Sequence, residues 1–566
     1  MRNRFQTRGE QGIVHLDSGE EKPVRVMKTV VAAALGMGLI FGSTAGGQEL
    51  PRVEMRDGRA SLFVDGRPYW VLGAQVDNSS GWPERLEALW PATERMRLNT
   101  LEVPVYWEQM EPARGKFEFG VVDALMAQAR AHHVRLVMLW FGTWKNGRSH
   151  YVPGWVKADT VAYPRMKTRE GKAIDVLSPN APANLAADQA AFTALMRHLK
   201  ETDQQHTVVM MQVENESGSL GSVRDFGADG AREFAGAVPS ELVRGLGKRP
   251  GTWAQVFGED ADETFAAWSV GRYIEQVAAA GKAELGLPMY VNNWLKSPRG
   301  YPVETVPGED YPSGGPTVNM HGVWKIAAPS LALLAPDVYV PNSEQYRGVM
   351  EAFHTRGNAL FIPESLGFEP FPGASGYGRY LYYALGEGAI GFANFGLERV
   401  RLEGMDAETS AQIEGFRLLG GFDRELAKLA FEGKVRTAVE ENGIAQKEIV
   451  LGSGLSAVRV VVSFPPAYDP PASPVSVSSD TTQLHEGRVV VGELGGGEFL
   501  VAGIDCRVMF EAPVHSKTQV QMLTVEEGRY DGETWVPGRL WNGDETDYGL
   551  NFGGKGSLLK VKIGSY

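Results

Sequence analysis

Val208-Val209-Met210-Met211-Gln212-Val213-Glu214-Asn215-Glu216-Ser217-Gly218 is the run from which the fold is read. Its first half is almost wholly apolar, the composition of a strand covered on both faces in a parallel sheet. It then breaks into carboxylates, an amide and turn formers. Parallel sheets, closed or open, place their ligands at the carboxyl ends of their strands, so Glu216 is expected at a crevice. Ala359-Leu360-Phe361-Ile362-Pro363-Glu364-Ser365-Leu366-Gly367 repeats the form. Two buried strands that each end in glutamate predict a carboxylate pair across a sugar-binding cleft. Acidic strand ends also serve solubility or cap a helix, and that alternative stands for either glutamate taken alone.

Working outward, strands alternate with helices over residues 69–431. The expected strands are Tyr69 to Ala74, Leu98 to Trp107, Val134 to Trp140, the opening run, Pro288 to Asn292, Asp337 to Asn342, the segment ending at Glu364, and Ala389 to Phe395. Between them, apolar residues at helical spacing predict helices over Trp82 to Met96, Val121 to Ala131, Ala181 to Lys200, Phe257 to Leu285, Tyr346 to Arg356 and Tyr377 to Leu385. A weaker helical patch lies near 327–335, and one long amphipathic helix is expected from Ala407 to Phe431. Eight such units favour an α/β fold closed as a (β/α)8 TIM barrel, with a doubly wound sheet as runner-up. Asp65-Gly66 reads as a hairpin turn ahead of the first barrel strand.

From Lys434 onward the segments become short and β-branched, as in Arg488-Val489-Val490-Val491 and Phe499-Leu500-Val501-Ala502. This predicts an all-β, sandwich-like C-terminal domain. Trp535, Trp541 and Tyr548 suit a domain interface there better than a sugar platform. At the other end, Met27-Lys28 precedes an apolar run from Thr29 to Gly42 and then Ser43-Thr44-Ala45. That is a signal-peptide pattern, too short to span a bilayer comfortably. Met27 reads as the better start. The expected division is 1–47 extension and signal peptide, 48–433 catalytic barrel and 434–566 accessory domain, with the mature protein in the periplasm or secreted from a bacterial cell.

The formal charge of -13 opposes bulk electrostatic binding to nucleic acid or an anionic membrane. A single cysteine, Cys506, excludes a disulfide within the chain and a cysteine-based zinc cluster. Neither a His-Glu-x-x-His zinc motif nor a phosphate-cradling Gly-x-x-x-x-Gly-Lys-Ser/Thr loop is present. Lys145 sits in a polar loop where nothing obvious activates it for Schiff-base chemistry. No metal or organic cofactor is expected.

Glycoside hydrolysis needs one carboxylic acid to protonate the leaving oxygen and one carboxylate to meet the positive charge at the anomeric carbon. Glu216 and Glu364 are assigned those places. A spacing of ~5.5 Å implies double displacement with retention, and ~6.5–9.5 Å implies inversion. Asn215 is placed to donate to a sugar hydroxyl, or else to cap its turn. Glu214 is expected as a structural partner, and Glu102 and Asp77 as weaker cleft-facing options. Sugars offer apolar C–H faces to aromatic platforms, for which Tyr106, Trp107, Trp140, Trp144 and Trp294 are candidates. Asn342 and Tyr346, where the sixth strand gives way to its helix, complete the expected substrate-binding set.

Several segments carry a family resemblance: Asn99-Thr100 with Tyr106-Trp107, Glu111-Pro112-Ala113-Arg114-Gly115-Lys116-Phe117-Glu118-Phe119, and Gln212-Val213-Glu214-Asn215-Glu216. Over residues 55–400 the chain resembles the glycoside hydrolase family 35 β-galactosidases, in a divergent bacterial branch with a β-rich C-terminal domain. The resemblance implies a retaining barrel enzyme acting on terminal β-galactosyl groups of oligosaccharides, with Glu216 as acid/base and Glu364 as nucleophile. The chain departs from the family at Pro104, where a tyrosine is usual. It departs again at Met138 to Asn146, which replaces a Tyr-Ile-x-Ala-Glu-Trp segment whose glutamate reads galactose hydroxyls. Family 42-like barrels, another retaining exo-β-glycosidase such as a β-glucosidase or β-arabinosidase, and a non-catalytic carbohydrate-binding protein remain alternatives.

Overall fold

The computed structural model describes residues 49–296, 305–340, 342–367, 377–405, 407–441, 446–451, 458–464 and 487–566. The signal-peptide pattern and the Pro/Ser-rich stretch at 465–480 lie outside the described residues.

Eight parallel strands form the catalytic-type barrel: β1 (Val71–Gln75), β2 (Thr100–Tyr106), β3 (Arg135–Phe141), β4 (Val208–Val213), β5 (Met289–Trp294), β6 (Leu333–Val338), β7 (Glu364–Ser365) and β8 (Gly391–Phe395). They are hydrogen-bonded in the order β7-β6-β5-β4-β3-β2-β1-β8. The seam between β7 and β8 is closed by the Ile362–Phe392 bridge and by Ala393 N–H donating to Ile362 C=O. The (β/α)8 expectation is therefore met.

Side chains alternate across the barrel wall, as strand geometry requires, except at Val209 and Met210 of β4, where a register shift against β3 turns two consecutive residues inward. On β3, Val137, Leu139 and Phe141 join the interior cluster with Val209, Met210, Tyr290, Ala335 and Phe361. The intervening Leu136, Met138 and Trp140 face the helices. Ala60, Leu62 and Val64, from an N-terminal three-stranded antiparallel sheet, belong to the interior cluster as well. That sheet turns at Asp65 and Gly66, both with positive φ (54° and 75°), the geometry expected of a tight hairpin.

Some boundaries move. β6 begins at Leu333, inside the patch read as helical, because helix His321–Ala327 ends early and the apolar run 333–335 is β-paired to Tyr290–Asn292. The expected helix from Trp82 to Met96 is two short ones, Pro83–Glu87 and Trp90–Met96. The expected helix from Ala407 to Phe431 is likewise two, Ala407–Leu419 and Asp423–Phe431, broken at Gly420-Gly421.

The C-terminal strands are β9 (Val435–Val439), β10 (Gln446–Leu451), β11 (Val458–Ser463), β12 (Arg488–Gly495), β13 (Glu498–Ile504), β14 (Cys506–Glu511), β15 (Val520–Asp531), β16 (Thr534–Leu540), β17 (Leu550–Phe552) and β18 (Ser557–Ser565). They build a six-stranded antiparallel sheet, β9-β12-β13-β18-β15-β16, and a four-stranded one, β10-β11-β14-β17. Alternation divides the larger sheet between two cores. Val489, Val491 and Val501 pack with Val460, Val508 and Phe552 of the smaller sheet. Val490, Leu500 and Ala502 pack into the barrel's helical layer beside Leu426 and Leu429. The β12-β13 part of the larger sheet is thus buried on both faces and shares a continuous core with the barrel, while β15 and β16 are largely exposed. Trp541 lies inside the sandwich, Trp535 is partly buried and Tyr548 is exposed, so these three aromatics do not form one cluster. Among the described residues, no helix is long and apolar enough to cross a membrane.

Candidate active site

The mouth at the carboxyl ends of the strands opens on a cavity of about 590 Å³. Glu216, Glu364, Asp337, Tyr339, Lys145 and Trp294 line it. Register explains how they meet. Asp337 on β6 is the pairing partner of Glu364 on β7 and of Trp294 on β5. One oxygen from each of Glu216, Asp337 and Glu364 lies within 4.8 Å of the others. Lys145 brings a positive charge to this cluster, its Nζ 3.9 Å from Glu216, where it competes with any cation for the same carboxyl oxygens. The cluster's chemistry fits proton and glycosyl transfer better than metal binding.

Glu216 reaches the cavity because β4 ends in distorted backbone. Glu214 and Glu216 both take left-handed φ, 66° and 44°, which is uncommon for residues with a Cβ and clusters at functional sites. Regular alternation would place the two on one face; the left-handed turns separate them. Glu214 is buried behind the wall, where its Oε2 accepts from Trp144 N at 2.7 Å. Burial and the neighbouring Asp188 hold the Glu214 carboxyl well above the ordinary range. Asp188 itself accepts from Trp140 Nε1, Thr143 Oγ1 and Tyr273 Oη. Glu214 thus anchors the loop that carries Lys145.

The Glu216 N–H donates to Asn292 Oδ1 at 2.8 Å, and Asn292 Nδ2 donates to Asp337 Oδ2 at 2.8 Å. Burial raises the Glu216 carboxyl from its ordinary 4.5 to about 7, Lys145 opposes that rise and Glu364 adds to it. Glu364 accepts from Gln75 Nε2 at 3.0 Å and from the Tyr339 hydroxyl at 2.5 Å. One carboxyl is therefore poised to hold a proton near neutrality, and the other is fixed in place by two donors.

The remaining expected residues divide. Trp294 stands on the cavity rim, 39% exposed. Asn215 is buried beside Glu216; its Oδ1 accepts from Lys145 Nζ at 2.7 Å, and its Nδ2 has no protein acceptor among the described residues. Glu102 lies under the site in the barrel, accepting from Tyr290 Oη at 3.1 Å; burial raises its carboxyl well above the usual range. Asp77 is ion-paired with Arg399.

Five expected contacts are not at the cavity. Trp140 falls on the helix-facing parity of β3 and packs on Phe192. Trp107 opens a short helix after β2, donates to Glu111 and packs on Trp140 and Trp155. Trp144 is enclosed against Tyr273. The Tyr106 hydroxyl accepts from Gly81 N, with its ring stacked on Tyr151. Tyr346 is buried, hydrogen-bonded to Ser365 and stacked on Tyr380. Asn342 is a sixth correction: exposed, it caps helix Ser343–Phe353 by accepting from the N–H groups of Glu344 and Gln345.

Four residues of the site escaped the sequence reading. Asp337 and Tyr339 lay in a strand whose start was misplaced, and Gln75 and Asn292 are ordinary polar strand ends. Lys145, read as wet, is buried.

Comparison with known proteins gives partial matches. A family profile described as "Domain of unknown function (DUF5597)" matches residues 413–553. A protein named beta-galactosidase from Xanthomonas manihotis is 26% identical over 185 residues, 30% of this chain and 28% of that protein. The chain thus spans less than a third of that relative's length. Among solved structures, a beta-galactosidase from Rahnella sp. R3 is similar with a TM-score of 0.45 and 16% identity, over 66% of this chain and 58% of that one. The catalytic domain of a beta-amylase from Paenibacillus polymyxa is similar with a TM-score of 0.46 and 11% identity, over 61% and 96% respectively.

Proposed function

We propose that this protein is a retaining exo-β-glycosidase, with terminal β-galactosides of oligosaccharides as its substrates. The observation that carries the reading is the approach of Glu216 and Glu364 across one cavity, with one carboxyl oxygen of each within 4.8 Å of the other. Retaining enzymes hold the two groups ~5–5.5 Å apart, and inverting ones leave ~6.5–9.5 Å for a water between them.

In the first half-reaction the Glu364 carboxylate attacks the anomeric carbon. The glycosidic C–O bond breaks with its electron pair passing to oxygen, which takes the Glu216 proton. In the second, Glu216 removes a proton from water as the water oxygen attacks the same carbon and releases Glu364 as carboxylate. Trp294 is the aromatic face at the rim. The beta-galactosidase of Xanthomonas manihotis supports galactose as the first sugar to test. The Met27 to Ala45 pattern supports export from the cell.

A panel of nitrophenyl β-glycosides tests the sugar. Product stereochemistry read by NMR at early time tests the mechanism. Glu364→Gln should abolish turnover, and Glu216→Gln should spare substrates whose leaving group needs no proton. An α-configured first product from a β-glycoside would refute retention, and full activity in Glu364→Gln would refute the nucleophile.

A further inference from the structure

The site holds three carboxyl groups where the proposed chemistry uses two. Asp337 is buried and lines the same cavity. Its Oδ2 accepts from Asn292 Nδ2, whereas its Oδ1 is buried and meets no N–H or O–H donor among the described residues. One carboxyl oxygen of Asp337 and one of Glu216 lie within 4.8 Å of each other. Once Glu216 has given up its proton, two carboxylates at that range would repel, and a buried acceptor without a donor is costly. Both problems vanish if the undonated oxygen carries a proton aimed at Glu216.

We propose that Asp337 works as a neutral carboxylic acid that donates a hydrogen bond to Glu216, holding it in place and sharing the negative charge it acquires when its proton leaves. Asp337 is then a positioning residue that keeps its own proton throughout both half-reactions. The inference rests on the glycosidase reading for its purpose, but not for the protonation state.

The charged and titratable groups facing Asp337 agree with a neutral form. Glu216 beyond β4 and Glu364 on β7 both disfavour a further anion, while the Tyr290 and Tyr339 phenols are neutral and donate to Glu102 and Glu364 instead. Lys145 is the cation that acts on it, and Lys145 is already engaged with Asn215 and stands 3.9 Å from Glu216. Burial is the largest influence and acts in the same direction as the anions.

The test uses the full chain and two readouts. Infrared difference spectra of wild type against Asp337→Asn, at a pH well above the Glu216 transition, should show one protonated-carboxyl band lost on substitution and still present in Glu216→Gln. Loss of a carboxylate band instead would overturn the proposal. In hydrolysis, Asp337→Asn should leave the alkaline limb of kcat/KM in place, because the introduced amide donates to Glu216 and accepts from Asn292 as the acid does. Asp337→Ala should move that limb upward by about one pH unit and lower kcat by about 10-fold. An alkaline limb that falls in Asp337→Asn would mean an anion had been removed, and would also overturn it. If no glycoside is turned over, the functional reading fails while the infrared result still decides the state of Asp337.

Discussion

The Tyr339 hydroxyl lies 2.5 Å from Glu364 Oε1. Burial and the Glu364 charge push the phenol far above its ordinary range, so it remains an O–H donor at every working pH. A donor to an ionised group contributes about 1.5–3 kcal/mol. On the proposed mechanism it also fixes the carboxylate for attack and steadies it as a leaving group. Tyr339→Phe should therefore lower kcat by about 10–100-fold with fold stability little changed. Steady-state kinetics on an activated aryl glycoside, beside a thermal melt, check both halves.

Glu216 makes the pH dependence a signed prediction. As the acid it must be protonated, so kcat/KM should fall as pH rises through about 7. The same shift acts on stability. The folded state binds the proton more tightly than the unfolded chain, so this contribution is present below 4.5 and is lost as pH climbs to about 7. Glu216→Gln has no proton to lose there. It should be more stable than wild type above neutrality, on the order of 2 kcal/mol, and the gap should close toward acid. Denaturant melts of both proteins across that window measure it; a gap that widens toward acid would contradict the assignment.

Lys145 acts on both Asn215 and Glu216. Its Nζ donates to Asn215 Oδ1, and its charge opposes the burial-driven rise at Glu216. Lys145→Met removes both effects. The alkaline limb should move upward by about one pH unit, and KM should rise because the amide is no longer fixed. A changed KM with an unmoved limb would leave only the orienting role.

What could be read beforehand follows the physics of each signal. Glu216 and Glu364 were legible because a carboxylate at the end of a long apolar run breaks the pattern of a covered strand. The eight strands were legible for the same reason. Glu214 and Glu216 were read as alternating, and only the left-handed backbone at both positions separates them, which no pattern of residue types announces. Lys145 looked solvated because its neighbours in sequence are polar, but the buried Glu214–Asp188 pair draws that loop inward from a distant helix. Asp337 was hidden by strand six, whose Leu333-Leu334-Ala335 start fits either periodicity until its partner on β5 is known.

The tryptophans separate surface from core within one residue type. Trp140 lies on the helix-facing side of β3 with its Nε1–H bonded to Asp188, and Trp294 stands at the cavity rim. Removing a packed indole from a core costs about 3–5 kcal/mol, and here also strands a buried carboxylate acceptor. Trp140→Ala should therefore melt early or fail to fold. Trp294→Ala should fold normally and weaken binding of the sugar beyond the cleaved bond by about 10-fold, the order of ~1.4 kcal/mol that one aromatic face supplies. Melting temperature and KM measured on both variants decide the matter. A stable Trp140→Ala with raised KM would return that indole to the binding site and would mean that the parity of β3 is wrong.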